Sequence, residues 1–195
     1  GKTVHTIFGA KDSAKAGQLT LEIAEGATIG NGSYSNKTAA IAGSYGGGQA
    51  EAFNVYVEGG TVNGDIVGGA VNGSGHIDSV KIVVNNGTIQ GGIYGGSKTS
   101  GSVDNAHIII NGGIIKNGIN AGGTAGAVTH AQITITGGVI DGGITKGNAQ
   151  NADVIIQGSD ANITGDVEAD SLTLYNVQKN MAVRVKSVKE ITTAG

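Results

Sequence analysis

The chain contains no cysteine, no proline and no tryptophan, and aromatic residues make up only 4% of its 195 residues. Each absence removes a class of protein. Without cysteine, and without an HExxH spacing, the sequence carries neither of the usual zinc-site signatures, and zinc is not expected. Without proline, the 37 glycines cannot be collagen, which needs glycine at every third position together with proline. No run of 18 apolar residues occurs, so no segment reads as a membrane-spanning helix. The formal charge of −3, with lysines scattered along the chain, lacks the basic stripe that a nucleic-acid partner requires. The opening glycine and the ending EITTAG read as the limits of a piece of a longer chain, with no leader segment in it.

What the chain does have is glycine beside isoleucine and valine. That pairing suits neither a flexible linker nor a disordered segment, which would lack branched apolar residues. The same phrase recurs: GGTVNGDIVGG at 59–69, NGTIQGGIYGG at 86–96, GGIIKNGINAGG at 112–123, GGVIDGGITKGN at 137–148 and DANITGDVEA at 160–169. Its first branched residues are Val62, Ile89, Ile115, Ile140 and Ile163, spaced 27, 26, 25 and 23 residues apart. Four residues beyond each stands another: Ile66, Ile93, Ile119, Ile144 and Val167. Ahead of the phrase the apolar residues alternate, as Val55/Val57, Ile82/Val84, Ile108/Ile110 and Ile133/Ile135, with Val154/Ile156 and Leu172/Leu174 continuing the pattern. Period two places one face in and one face out. A further strand lines up Ile77, Val103, Val128 and Ala149.

About three short strands per unit of about 25 residues is the signature of a β-solenoid. One coil cannot fold alone, because its few inward side chains do not offset the entropy of ordering it. Stacked coils share that burial and complete each other's backbone hydrogen bonds. Crossovers between parallel strands are overwhelmingly right-handed. The expected fold is therefore all-β, a right-handed, single-stranded parallel β-helix with about 23–33 residues per coil. It reads as one domain over 1–195: irregular N-terminal coils or a cap over 1–52, regular repeats over 53–180, and a final or truncated coil over 181–195. Residues 18–29 form an early coil with its anchor at Ile29, followed by a long excursion over 30–52. The segment between the closing glycines and the next strand shortens from 70–75 toward Gly147, which predicts a taper.

Two glycine columns are assigned from position alone. Gly64, Gly91, Asn117, Gly142 and Gly165 follow the anchors by two. Asn is a common substitute where φ is positive, so this column is expected to be a left-handed corner with Asn117 at positive φ. Gly60, Gly87, Gly113, Gly138 and Ala161 precede the anchors by two, where a side chain would obstruct a tight bend.

The chemistry-bearing residues are scattered. His5, His76, His107 and His130 fall in different columns, so the repeat stacks no histidine pair. Asp78 and Asp104 share a column one coil apart, and Asp65 and Asp166 share another. Two stacked aspartates are too few for calcium, which takes six or more oxygens, and the GGxGxDxUx nonapeptide of calcium-binding rolls is absent. Asn85, Asn111 and Thr136 are placed to form an outward polar ladder. The threonines form no regular array of the ice-binding kind, and no strand–GxxxxGK[ST]–helix exists. Tyr56 and Tyr94 are the outward aromatics available to a sugar. Asn-x-Ser/Thr sequons occur at Asn31, Asn36, Asn72, Asn86 and Asn162.

The repeated phrase, in HIIINGGIIKNGI and QITITGGVIDGGI above all, resembles the passenger regions of bacterial autotransporters over about residues 53–180. The resemblance implies a cysteine-free β-helix displayed at the bacterial cell surface or secreted, an adhesin or stalk, attached in the full-length protein to a C-terminal outer-membrane barrel. No GDSGS-type nucleophile is present, and the reading is non-enzymatic, with no catalytic residue, no metal and no cofactor. The partners it implies are a host or cell-surface protein or glycan, with no nucleic acid and no membrane span. Side loops 70–79 and 97–105 are the expected binding surface, with Tyr94, Asp78 and Asp104 as ligand-binding candidates. The alternative is a β-helix polysaccharide lyase or hydrolase, or a phage tail-type glycan-binding protein.

Overall fold

In the computed structural model, which describes residues 3–30, 39–178 and 181–195, each coil lies on the next in parallel register. All nineteen strands of the described residues belong to one continuous parallel sheet, wound as a β-helix, and no helix occurs among them. The wall has three rows. A first short strand is formed by Thr28–Ile29, Thr61–Val62, Thr88–Ile89 and Ile114–Ile115. A second is formed by Ala39–Tyr45, Asp65–Ala70, Ile93–Tyr94, Ile119–Asn120 and Ile144–Thr145. The long row contains Lys15–Ile23, Gln49–Val57, His76–Val84 and Ser102–Ile110, and then Val128–Ile140 and Ala149–Ile163, which run on through the corner into the first short row.

The anchors stack as the repeat predicts. Val4, Ile29, Val62, Ile89, Ile115, Ile140 and Ile163 are successive partners in one column. Ile41, Ile66, Ile93, Ile119, Ile144, Val167 and Val185 form a second. Val55, Ile82, Ile108, Ile133, Val154, Leu172 and Ile191 form a third. Most of these side chains are fully buried, and together they form one core down the axis. Each fully buried one contributes about 1.5–3 kcal/mol, and its partners in the column lie in the coils above and below, which ties stability to stacking.

The ladder reaches further toward the N-terminus than the legible repeats. Ile7 partners Ile41, and Lys15–Ile23 partners Gln49–Val57 residue for residue. Of the expected excursion over 30–52, Ala39–Tyr45 and the start of Gln49–Val57 are instead ordinary strands of a coil, and residues 31–38 lie outside the described residues. At the other end Arg184–Ala194 pairs along Asp166–Tyr175. The taper is present. Partners lie 33 residues apart at Ile29/Val62, 23 at Ile140/Ile163, and 18 at Ile156/Leu174 and Val167/Val185. The last coils lose the side segment, so one strand, Asp166–Tyr175, spans both the second and the long rows.

The corner assignment needs correcting. Asn117 is not at positive φ; the left-handed residue there is its neighbour Gly118, at 73°. In the column after the anchors Gly142 is left-handed at 104°, Gly64 at 158° is close to extended, and Gly91 and Gly165 are not at positive φ. The consistent left-handed column is the one before the anchors: Gly60, Gly87, Gly113 and Gly138 at 75°, 96°, 79° and 86°. Gly91 is required for a different reason. A Cβ there would stand 2.2 Å from Asp65 Oδ1 and 2.5 Å from the carbonyl carbon of Gly64. Close coil contact, and not handedness, keeps that position small.

Charged side chains pair between coils on the outside. Lys116 meets Asp141 at 2.8 Å, Arg184 meets Asp166 at 3.0 Å and Lys186 meets Glu168 at 2.7 Å. Asp170 is the best partnered, with Lys146 Nζ at 2.8 Å, Lys189 Nζ at 2.6 Å and the Ala152 amide donating at 2.8 Å. The hydrogen bonds from Lys146 and then Lys189 hold its carboxyl well below the usual carboxylate range. A depressed folded-state pKa stabilises the fold above the ordinary aspartate value of about 3.9, and that contribution disappears as the pH falls below it toward the carboxyl's own pKa.

Two predictions follow from these contacts. Gly26→Ala, at a left-handed φ of 77° but in open space, costs about 1–2 kcal/mol of backbone strain. Gly87→Ala costs more, because its Cβ would also lie 2.8 Å from the Gly59 carbonyl, and thermal melts should rank the two in that order. For Asp170→Asn, the loss in melting temperature relative to the parent chain should be full at pH 7 and narrow on acidification below about pH 4. A gap that stays constant from pH 7 to pH 3 would show that the carboxylate's charge contributes nothing.

Candidate functional site

Asp78 and Asp104 lie in register where the long strands leave the side loops. Ser102 partners His76, and Val103 partners Ile77. Residues two apart on a strand project to one face, so His76 and Asp78 point out together and Ser102 and Asp104 sit one coil along from them. The His76 ring is held between the two pairs. Its Nδ1 is 2.7 Å from Ser102 Oγ. Its Nε2 is 3.0 Å from Asp78 Oδ1 and 3.6 Å from Asp104 Oδ2. The three ligand-capable atoms of His76, Asp78 and Asp104 lie within 4.8 Å of one another. Both carboxylates are exposed and the imidazole is half-buried.

Sequence reasoning stacked the two aspartates but left His76 apart from them, because the columns were compared only with their own kind. The signal was present as the alternation H-x-D at 76–78, repeated as S-x-D at 102–104. The other histidines do stand apart. His107 lies between Lys81 and Gln132, and His130 between Asn105 and Asn151. Burial first, and the Lys81 charge second, push the His107 pKa down, so this imidazole is held toward its neutral form.

The side loops are tied into the ladder. The Lys98 amide donates to Ala70 O at 2.8 Å and the Ser102 amide to Gly75 O at 2.9 Å. The hydroxyls of Thr99 and Ser100 donate to Gly73 O at 3.0 and 3.2 Å. The loops at 71–75 and 97–101 are thus a fourth, irregular wall that delivers His76 and Ser102 to the starts of their strands.

Tyr94 belongs to a different part of the surface. It occupies an outward row with Phe8, Ala42 and Val67, and packs onto a second apolar cluster outside the main core. Lys98 Nζ sits 4.3 Å from its ring centroid, so one face of the ring holds a cation. The same lysine forms an ion pair with Asp65, whose Oδ1 accepts from the Gly92 amide at 2.7 Å. Asp65 is buried and structural in its bonding, while Asp166, four coils on, meets Arg184. Tyr56 points outward with Lys81 Nζ 5.8 Å from its centroid. Asn72, Asn86 and Asn162 are exposed, whereas the sequons at Asn31 and Asn36 lie outside the described residues.

The expected polar ladder exists and has a direction. Thr136 Oγ1 donates to Asn111 Oδ1 at 2.8 Å, Asn111 Nδ2 to Asn85 Oδ1 at 2.8 Å, and Asn85 Nδ2 to Glu58 Oε2 at 2.9 Å. It ends on a carboxylate, which strengthens the bond next to it.

No family model, no curated protein and no solved structure matches this chain. The class of protein is therefore set by the fold, a parallel β-helix with a His–Asp–Asp grouping on its outer wall.

Asp78 and Asp104 are exposed and, among the described residues, form ion pairs with His76 alone, so Asp78→Asn and Asp104→Asn should each change stability by less than about 0.5 kcal/mol. Tyr94→Ala, which uncovers Val67 and removes the Lys98 contact, should cost more than either, about 1–3 kcal/mol. Chemical denaturation of the three variants gives this ranking directly.

Proposed function

We propose that this chain is a non-enzymatic β-helical scaffold of the autotransporter-passenger kind, displayed at a bacterial surface or secreted, which recognises a protein or glycan. The observation that supports this reading best is the coil-on-coil parallel pairing that, among the described residues, runs from Thr3 to Ala194. A stack in which every coil templates the next is a stiff rod, suited to holding a binding surface away from its anchor. The recognition surface is the wide part of the taper, at 70–79 and 97–105, where side loops are fastened to the ladder. Loops on a rigid scaffold are the usual place for recognition.

One observation favours a second reading. His76 between two carboxylates, with a serine hydroxyl on its other nitrogen, groups acid–base residues as a polysaccharide lyase or hydrolase would. A glycan and extracellular-matrix binding screen, run beside reducing-sugar and lyase absorbance assays, separates the two. The scaffold reading expects saturable binding that is weakened by substitutions in 97–105, and no turnover. Turnover abolished by Asp104→Asn would replace it with the enzyme.

A further inference from the structure

We infer that His76, Asp78 and Asp104 form a binding site for a borderline divalent transition-metal ion, of which Zn²⁺ is the representative. The inference assigns a ligand to this point of the wall whatever the rod as a whole recognises. Ser102 engages Nδ1 at 2.7 Å, which turns the ring so that Nε2 faces both carboxylates. Three atoms that can each ligate a cation then converge on one point of the wall. A proton on Nε2 serves Asp78 at 3.0 Å but leaves Asp104, at 3.6 Å, beyond hydrogen-bond length. A metal ion serves all three.

The spacing suits such an ion. Two ligands, each about 2.1 Å from zinc at a tetrahedral angle, stand about 3.4 Å apart. The two Nε2–oxygen separations of 3.0 and 3.6 Å fall on either side of that value. One imidazole nitrogen with two carboxylate oxygens is a mixed donor set of zinc type, with a remaining position facing solvent. Calcium would need six or more oxygens, and the cluster offers too few. Ser102 takes the outer task of fixing the ring, as partners of metal-bound histidines commonly do.

The surroundings of the cluster differ from those of the acids in the last coils. Asp141, Asp166, Glu168 and Asp170 each meet a lysine or arginine. Among the described residues, Asp78 and Asp104 form ion pairs with His76 alone. Two carboxylates stacked one coil apart thus share a single imidazole.

The test is calorimetric titration of the chelator-treated 195-residue chain with ZnSO₄, with CoCl₂ followed by visible absorption. One Zn²⁺ site per chain is expected, with a cobalt d–d band of a low-coordinate nitrogen–oxygen site and a higher melting temperature in the presence of Zn²⁺. His76→Ala and Asp104→Asn should each weaken binding at least about tenfold, while His130→Ala, exposed elsewhere, should leave it unchanged. Asp104→Asn is isosteric and exposed, so it tests the site even if the His76 variant folds poorly. Binding that survives Asp104→Asn, or no binding at about 1 mM Zn²⁺, would overturn the inference.

Discussion

The constraint on which this molecule depends is parallel stacking in register: each strand of a coil sits directly over its counterpart strand in the next. The backbone of one coil is the hydrogen-bonding template of the next, so a column cannot change character without affecting both neighbours. Branched apolar columns fill the axis because Ile and Val pack on a pleated wall and resist reorientation. The glycine columns follow from the same rule. Where the chain bends inside a stack, each Cβ would meet the backbone of the coil beside it, as at Gly87 against Gly59 and at Gly91 against Gly64.

Stacking also governs the exterior. Like residues brought over one another must share partners or separate, and the chain does both. Asn85, Asn111 and Thr136 bond in one direction along the axis. Asp170 holds two lysines from neighbouring coils. Asp78 and Asp104 are the case in which like charges are stacked and a neutral-or-cationic imidazole lies between them.

Much of this was legible in the sequence. The anchors from Val62 to Ile163 could be aligned by counting because their spacing changes by only one or two residues per coil. The N-terminal coils were harder to read, since Ile29 and Ile41 stand twelve residues apart where later coils have four, which breaks the phrase. Asn117 misled because an Asn in a glycine column suggests positive φ, yet here Gly118 beside it takes the bend. The histidine was missed for a geometric reason. His76 reaches Asp104 diagonally across the ladder, and a comparison of columns one at a time does not register diagonals. Tyr94 was correctly placed on the outside, but its contacts with Lys98 and the apolar row beneath it depend on neighbouring rows.

The taper gives the rod two unlike ends. Partners stand 33 residues apart at Ile29/Val62 and 18 apart at Val167/Val185, and in the last coil, which has a neighbour on one side only, Val185 and Ile191 are half-exposed. Because each coil is held by its immediate neighbours, a pulling force does not strain the whole rod at once. It detaches single turns in sequence, starting at an end, where a turn has only one neighbour. Each detached turn releases a length of slack chain set by its own coil while the remaining coils keep their shape, so the molecule yields in steps, longer where the coils are longer.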